Sequence, residues 1–310
     1  MPTTRRTALL ALTAGAALFA PAEGARAEAY RPARGPLAPK VAGTAKQVWV
    51  SGVCDPEPGE FGNWRGSTVG IAGLFGDADV AAQAEQYQFA NSRFIGDVDL
   101  AVGGPTDHTW AQVAAGADVA RWKQTAAVLA ANWRYRTVYL RYAHEMNGTW
   151  MPWSVAAKDT AAFRKAFRLF VATMRTALRG KNVKFVFAPN FGTWFYKPDT
   201  IWPGNDVVDI VGVSSYEWVK YDTPAKWTAF RKSSIGPDTW LAYAKRHGKP
   251  MAFSEWGATS PYFVRAMHDW MAAHAGAGAG QLHYDVYFNG NELVLTGKTA
   301  AQYAALRWGR

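Results

Sequence analysis

The chain has 310 residues, 49% hydrophobic and 19% charged, a composition that supports one large apolar core and excludes a disordered or fibrous protein. That length fits two small domains or a single α/β barrel, which commonly runs to about 250 residues. The formal charge of +10 suits contact with anionic polymers or a cell wall, but zinc-finger spacing and a phosphate-binding glycine loop are both missing, so no nucleic-acid partner is expected.

Residues 1–27 read as a secretory signal peptide. Arg5 and Arg6 precede an apolar run from Ala8 to Ala20, and Ala25-Arg26-Ala27 supplies a small-residue cleavage site. The run is shorter than the about 20 residues of a membrane span, and no later segment approaches that length. The expected product is therefore secreted and free of the membrane, and it is expected to be a monomer. The paired arginines fit the twin-arginine route. Residues 28–46, rich in Pro, Ala, Gly and basic side chains, read as a lead-in, which leaves 47–310 as one folded domain. Cys54 is the only cysteine, so no internal disulfide forms, and it is expected as a small buried hydrophobe.

From there strand-like and helix-like segments alternate. Gln47–Val53 is a first strand, and 54–66 is turn-rich and aromatic. The stretch 68–102 holds two strands and a helix without clear boundaries. Asp118 caps a helix that buries Val119, Trp122, Ala126, Leu129 and Trp133 at spacings of three and four. Thr137–Ala143 is a strand. A helix opening at Asp159 or Thr160 carries the stripe Phe163, Phe167, Phe170, Met174 and Leu178 and stops at Gly180. Strands follow at Val183–Ala188, Val207–Val213, Met251–Ser254 and Leu282–Phe288. Helices are expected at Pro237–His247, Pro261–Ala275 and Thr299–Arg307. Such alternation predicts a parallel α/β sheet, read as a single (β/α)8 TIM barrel. A doubly wound open sheet is the alternative, weakened by the missing dinucleotide fingerprint after the first strand.

Three predicted strands run into unusual residues. Thr137–Ala143 leads into His144-Glu145, Met251–Ser254 into Glu255-Trp256, and Val207–Val213 into Ser214-Ser215-Tyr216-Glu217-Trp218. Strand C-terminal ends form the active face of such a barrel, and a carboxylate there among tryptophans is costly to desolvate without a use. His144-Glu145 is no zinc-peptidase motif, because Gly148 stands where the second histidine belongs. The remaining histidines share no ligand spacing, so neither metal nor cofactor is expected. His268 and His274 are assigned to helix surfaces. A Gly-x-Ser-x-Gly elbow is also absent. Two carboxylates on different strands suit cleavage of a glycosidic bond: one protonates the leaving oxygen, and the other attacks the anomeric carbon or activates water. Sugar rings have apolar faces, so tryptophans near strand ends are candidate platforms: Trp150, Trp153, Trp194, Trp218 and Trp256. Trp122, Trp133 and Trp270 sit at helical spacing and are assigned to packing. Arg141 is a candidate partner of the site, as a counter-charge for the region of Glu255 or as an ion pair inside the barrel.

The blocks Arg141-Tyr142-Ala143-His144-Glu145-Met146-Asn147-Gly148-Thr149-Trp150, Val208–Val213 leading to Tyr216, and Gly248-Lys249-Pro250 leading to Ser254-Glu255-Trp256-Gly257 resemble glycoside hydrolase family 26 in order and spacing. The resemblance spans about residues 47 to 290. It implies a retaining (β/α)8 enzyme with Glu145 as acid/base and Glu255 as nucleophile. It also implies that His144 lies in the site, that Tyr216 hydrogen-bonds the nucleophile, and that Trp150 forms a sugar subsite. Members act on β-mannan, β-1,3-xylan, mixed-linkage β-glucan or exopolysaccharides. This chain departs from the family at Ser214-Ser215, where an aspartate is frequent, and at Tyr287-Phe288-Asn289, where a tryptophan is frequent, so mannan does not follow. The expected partner is a polysaccharide substrate. The competing readings are hydrolysis of an anionic exopolysaccharide and a catalytically silent carbohydrate-binding protein.

Overall fold

Runs of Val, Ile, Phe and Tyr, five to seven residues long, recur through the chain and form strands. The computed structural model describes residues 49–77, 94–192 and 197–309. The expected signal peptide and lead-in lie outside them. In chain order the elements are β1 (Val50–Cys54), α1 (Pro58–Arg65), β2 (Ile71–Asp77), β3 (Asp97–Val102), α2 (Trp110–Ala114), α3 (Val119–Ala131), β4 (Val138–Tyr142) and α4 (Thr160–Ala177). They continue with β5 (Val183–Phe187), β6 (Ile210–Tyr216), α5 (Pro224–Arg231), α6 (Pro237–Arg246), β7 (Met251–Gly257), α7 (Pro261–His274), β8 (Leu282–Phe288) and α8 (Gly297–Ala304).

Every strand pairs in parallel with its neighbours, and β1 closes on β8 from Val50↔Tyr284 to Cys54↔Phe288. This is the expected (β/α)8 barrel and not the open sheet. Closure leaves no unpaired edge, and it gathers all eight strand C-termini at one end. Alternation along each strand then sorts the side chains. Ile71, Tyr139, Val186, Ile210, Ala252, Tyr284 and Val286 belong to one buried cluster that fills the barrel. Tyr142 faces the helices, stacked 4.4 Å from Phe170 of α4 and edge-on to Trp122 of α3 at 5.5 Å. The predicted stripe of α4 is buried as read, from Phe163 to Met174.

Strand ends differ where apolarity was used to set them. β6 begins at Ile210 and runs to Tyr216, three residues later than predicted; Val207 and Val208 are buried in the turn before it. β7 does not stop at Ser254 but continues through Glu255 to Gly257, because backbone pairing persists through polar residues: Ser214↔Glu255, Ser215↔Trp256, Tyr216↔Gly257. The register with both neighbours shifts within β7 near Ser254, which marks a β-bulge. Gly212 opposite makes room for it, since a Cβ there would stand 2.2 Å from the Ser254 hydroxyl. His268, assigned to a surface, is buried between Trp49 and Trp308, and its Nε2 lies 2.8 Å from the Arg307 carbonyl.

Asp285 joins the barrel to this outer layer. It is fully buried and accepts the indole N–H groups of Trp49 (2.6 Å) and Trp256 (2.8 Å). Asp285→Ala strands two buried donors, each worth about 1–3 kcal/mol. The expected loss is therefore about 3 kcal/mol in urea denaturation. A loss below about 0.5 kcal/mol would show that the two indoles do not depend on this carboxylate.

Candidate active site

Residues of β3, β4, β6, β7 and β8 build one buried polar network. Arg141, on β4, points into the barrel, and its side chain is fully buried. Its Nε donates to Asp99 Oδ1 on β3, and its Nη1 donates to Glu255 Oε1 on β7, both at short range. The second Glu255 oxygen accepts the Tyr216 hydroxyl, again at short range. Asp99 also accepts the Tyr284 hydroxyl at 2.6 Å, and Tyr284 in turn lies 3.0 Å from the Ser254 hydroxyl. Ser254 and Glu255 both reach the interior because the bulge absorbs one step of the alternation. Burial works against the charge of Arg141, but Asp99 and Glu255 outweigh it and hold the guanidinium ionised.

Glu145 reaches the same region by a different route. β4 ends at Tyr142, and the chain then passes through two left-handed residues, Ala143 (φ 49°) and Glu145 (φ 53°). Each such non-glycine residue costs about 1–2 kcal/mol, so the turn must be held by its surroundings. The Glu145 N–H donates to the Ala188 carbonyl (2.8 Å), and the Gly148 N–H returns to the Glu145 carbonyl (2.9 Å). Gly148 is required here, because a Cβ would lie 2.5 Å from the Trp150 ring. The carboxylate accepts Trp150 Nε1 at 2.6 Å and Asn190 Nδ2 at 2.9 Å. Asn190 is itself fixed by Asn147: the Asn190 N–H donates to the Asn147 side-chain carbonyl (2.8 Å), and Asn147 Nδ2 donates to the Asn190 backbone carbonyl (2.9 Å). Burial and the negative charge of Glu255 push the Glu145 pKa up to about 7, against the pull of these donors.

The two carboxyl groups thus occupy opposed environments. One is held by a cation and a phenol; the other is buried without a cation and carries its proton near neutrality. Such a pair can combine an acid with an anionic nucleophile or base.

The remaining predicted site residues divide. His144 is buried with its ring against Phe75 (5.8 Å) and Trp153 (5.3 Å), and burial with Arg141 nearby holds its pKa well below the ordinary value, so it is neutral. Trp150 is half-buried on Glu145, and Trp218 is 52% exposed beside Tyr216. Trp153 and Trp256 are corrections. Trp153 is buried behind the site with its indole on the His144 carbonyl (2.7 Å). Trp256 is 0% exposed among Tyr303, Trp308 and Asp285, because the residue after an inward-facing Glu255 must face outward. Arg141 fills both roles expected of it, as the counter-charge of Glu255 and as an ion pair with Asp99 inside the barrel, and it is sealed beneath Glu255 and not open to a substrate. Trp194 lies outside the described residues. Asp99, Asn190, Asn147 and Tyr284 were missed, as were the half-buried Phe75 and Phe288, whose rings meet at 5.8 Å. Among the described residues no three His, Cys, Asp or Glu side chains are grouped to hold a metal ion.

Comparison with known proteins gives concordant results. The model of glycosyl hydrolase family 26 matches residues 113–287. A β-1,3-xylanase of a Vibrio species is 29% identical over 134 residues, and one of an Alcaligenes species is 28% identical over 127. Each match covers 39% of this chain and 23% of the relative, so the chain spans about a quarter of those proteins. Among solved structures, a modular endo-β-1,4-mannanase from Cellulomonas fimi superposes with a TM-score of 0.56 at 17% identity, covering 76% of this chain and 60% of that one. A mannanase of Bacillus subtilis superposes with a TM-score of 0.57 at 16% identity, covering 83% and 85%. At these identities the superpositions speak for the barrel alone.

Titration of the Glu145 carboxyl by carbon-13 NMR is expected to give a midpoint near 7. Asn190→Ala removes a donor that favours the anion, so the midpoint should rise. A Glu145 midpoint near 4.5, or a fall in the variant, would contradict the assigned environment.

Proposed function

Because the chain belongs to glycosyl hydrolase family 26, we propose that it hydrolyses a β-linked polysaccharide with retention of configuration, using Glu145 as acid/base and Glu255 as nucleophile. The observation that carries this reading is the split between the two carboxyl groups. Glu145 carries its proton near neutrality, while Glu255 is bonded by Arg141 and Tyr216.

In the first step Glu145 gives its proton to the glycosidic oxygen as a Glu255 oxygen attacks the anomeric carbon. The bond to the leaving sugar breaks, and a glycosyl ester forms on Glu255. In the second step Glu145, now an anion, takes a proton from water; the hydroxide oxygen attacks the anomeric carbon and frees Glu255. The Tyr216 hydroxyl and Arg141 hold the Glu255 oxygens in line and receive the returning charge. Loss of negative charge on Glu255 in the ester relieves its push on Glu145, which lowers the Glu145 pKa just when a base is required. Trp150, bonded to Glu145, offers its ring face to the sugar beside the cleaved bond.

The substrate class is drawn from β-1,3-xylan, β-mannan and mixed-linkage β-glucan. The names of the relatives favour the first two. The +10 charge favours an anionic exopolysaccharide as the second reading. We also propose export with cleavage after Ala27, and action as a monomer without a cofactor; amino-terminal sequencing of the secreted protein tests the cleavage.

A panel of these polymers with a reducing-sugar readout identifies the substrate. Proton NMR of the first products should show the β-anomer before mutarotation, and the α-anomer first would refute retention. Glu255→Ala, assayed on protein whose circular dichroism shows it folded, should lower turnover at least about 10³-fold, since it removes the attacking oxygen; unimpaired turnover would refute the assignment. Because the first step needs protonated Glu145, kcat/KM should fall as pH rises through about 7. A profile flat to pH 9 would contradict that role.

A further inference from the structure

We infer that Trp218, with Val219 and Lys220, is a polymer-binding platform outside the cleavage point, and that Glu217 is the positioning residue that holds it in place. The inference rests on the carbohydrate reading of the cleft. Its observation is separate: three consecutive exposed residues, including a tryptophan at 52% and a valine at 65% exposure, stand on a loop that is fixed at both ends.

The loop follows β6. The Glu217 N–H extends the ladder to the Gly257 carbonyl at 3.0 Å, so the chain is still paired to β7 when it reaches the rim. The Glu217 side chain is buried and bound on both oxygens. Oε2 accepts the Thr259 N–H (2.8 Å), the Thr259 hydroxyl (3.1 Å) and the Ser260 N–H (2.8 Å). Oε1 accepts the Ser260 hydroxyl (2.7 Å) and the Tyr221 N–H (3.1 Å). The last bond closes the excursion, since Tyr221 is the first residue beyond it. The Tyr221 ring stacks 4.1 Å from Phe230 of α5, and Thr223 caps that helix. Glu217 is thus a third carboxylate at a strand end, but all its lone-pair capacity is spent on the loop and on the start of α7, which leaves nothing for chemistry.

This clamp keeps Trp218 and Val219 in water when a looser loop would let them fold inward. A large apolar side chain held out by a rigid base is a feature of binding surfaces. The place is specific. The Trp218 ring lies 5.2 Å from that of Tyr216, and Tyr216 bonds Glu255, so the platform continues the aromatic wall that includes Phe288 and Phe75. An exposed indole face this near Tyr216 matches the apolar face of a pyranose ring about one or two units from the cleaved bond, and Lys220 adds a donor for hydroxyl or carboxylate oxygens. The occupant is a polysaccharide long enough to extend past the cleaved bond.

Affinity electrophoresis in native gels cast with solubilised β-1,3-xylan, glucomannan or mixed-linkage glucan tests this, with Glu145→Ala as background so that the polymer is not consumed. Retardation is expected for Glu145→Ala. Adding Trp218→Ala should raise the apparent Kd about tenfold, the scale of one ring contact, and Trp218→Phe should recover part of the loss. Glu217→Gln in an otherwise active chain should raise KM on the polymer more than it lowers kcat, a split that a merely destabilised fold would not give. Retardation unchanged by Trp218→Ala, or no retardation in any gel, overturns the platform. Trp218-dependent retardation by a wild-type protein that cleaves none of the polymers would leave the platform standing and remove the hydrolase reading.

Discussion

One cation held between two buried carboxylates organises this molecule. Arg141 is sealed inside the barrel with Asp99 on one side and Glu255 on the other. A lone guanidinium there would be prohibitively costly, and removing either partner of such a pair typically costs about 3–5 kcal/mol because a buried charge is left behind. The geometry is bound to the fold. Arg141 sits opposite Ala101 in the β3–β4 ladder, two residues along from Asp99, and reaches across the barrel to β7. Only a closed, filled barrel brings β3, β4, β7 and β8 to one point, so the fold and the site share the same interaction.

That arrangement creates the asymmetry on which the chemistry turns. Glu255 has a cation and a phenol for its two oxygens. Glu145 has an indole and an amide, both neutral, and is repelled by Glu255. Two chemically identical side chains thereby meet different neighbours, and burial with the charge of Glu255 raises the Glu145 pKa. The left-handed residues at Ala143 and Glu145 fit this account: strain is tolerated where the rest of the barrel over-determines the backbone, and here it turns the Glu145 carboxyl to Trp150 and Asn190.

Much of this was legible in the sequence. Glu145 and Glu255 stood out because each follows an apolar run that ends among tryptophans, and the alternation of strands and helices pointed to a barrel. What escaped shares one cause: burial and facing are set by three-dimensional neighbours. Asp99 lies inside an apolar strand and looks like a defect until Arg141 is opposite it. Asn190 was visible after Pro189, but nothing local says that it meets a glutamate 45 residues earlier. Trp256 was misread because strand β7 was taken to end before it; once the strand continues past the bulge, alternation turns Trp256 outward. Trp153 failed similarly, since a tryptophan near a strand end can support a site from behind as readily as face it. Glu217 and Glu255 look alike in sequence, yet Glu217 is consumed by five hydrogen bonds that fix a loop.

The account depends on Glu255 being the group that Arg141 and Tyr216 prepare for attack. Trapping with a 2-deoxy-2-fluoro glycosyl fluoride of the sugar that the enzyme cleaves, followed by peptide mapping, tests this most directly. The expected result is a single covalent ester on Glu255, absent from Arg141→Met protein treated alike. An ester on Glu145, or full turnover with no adduct on either carboxylate, would contradict it.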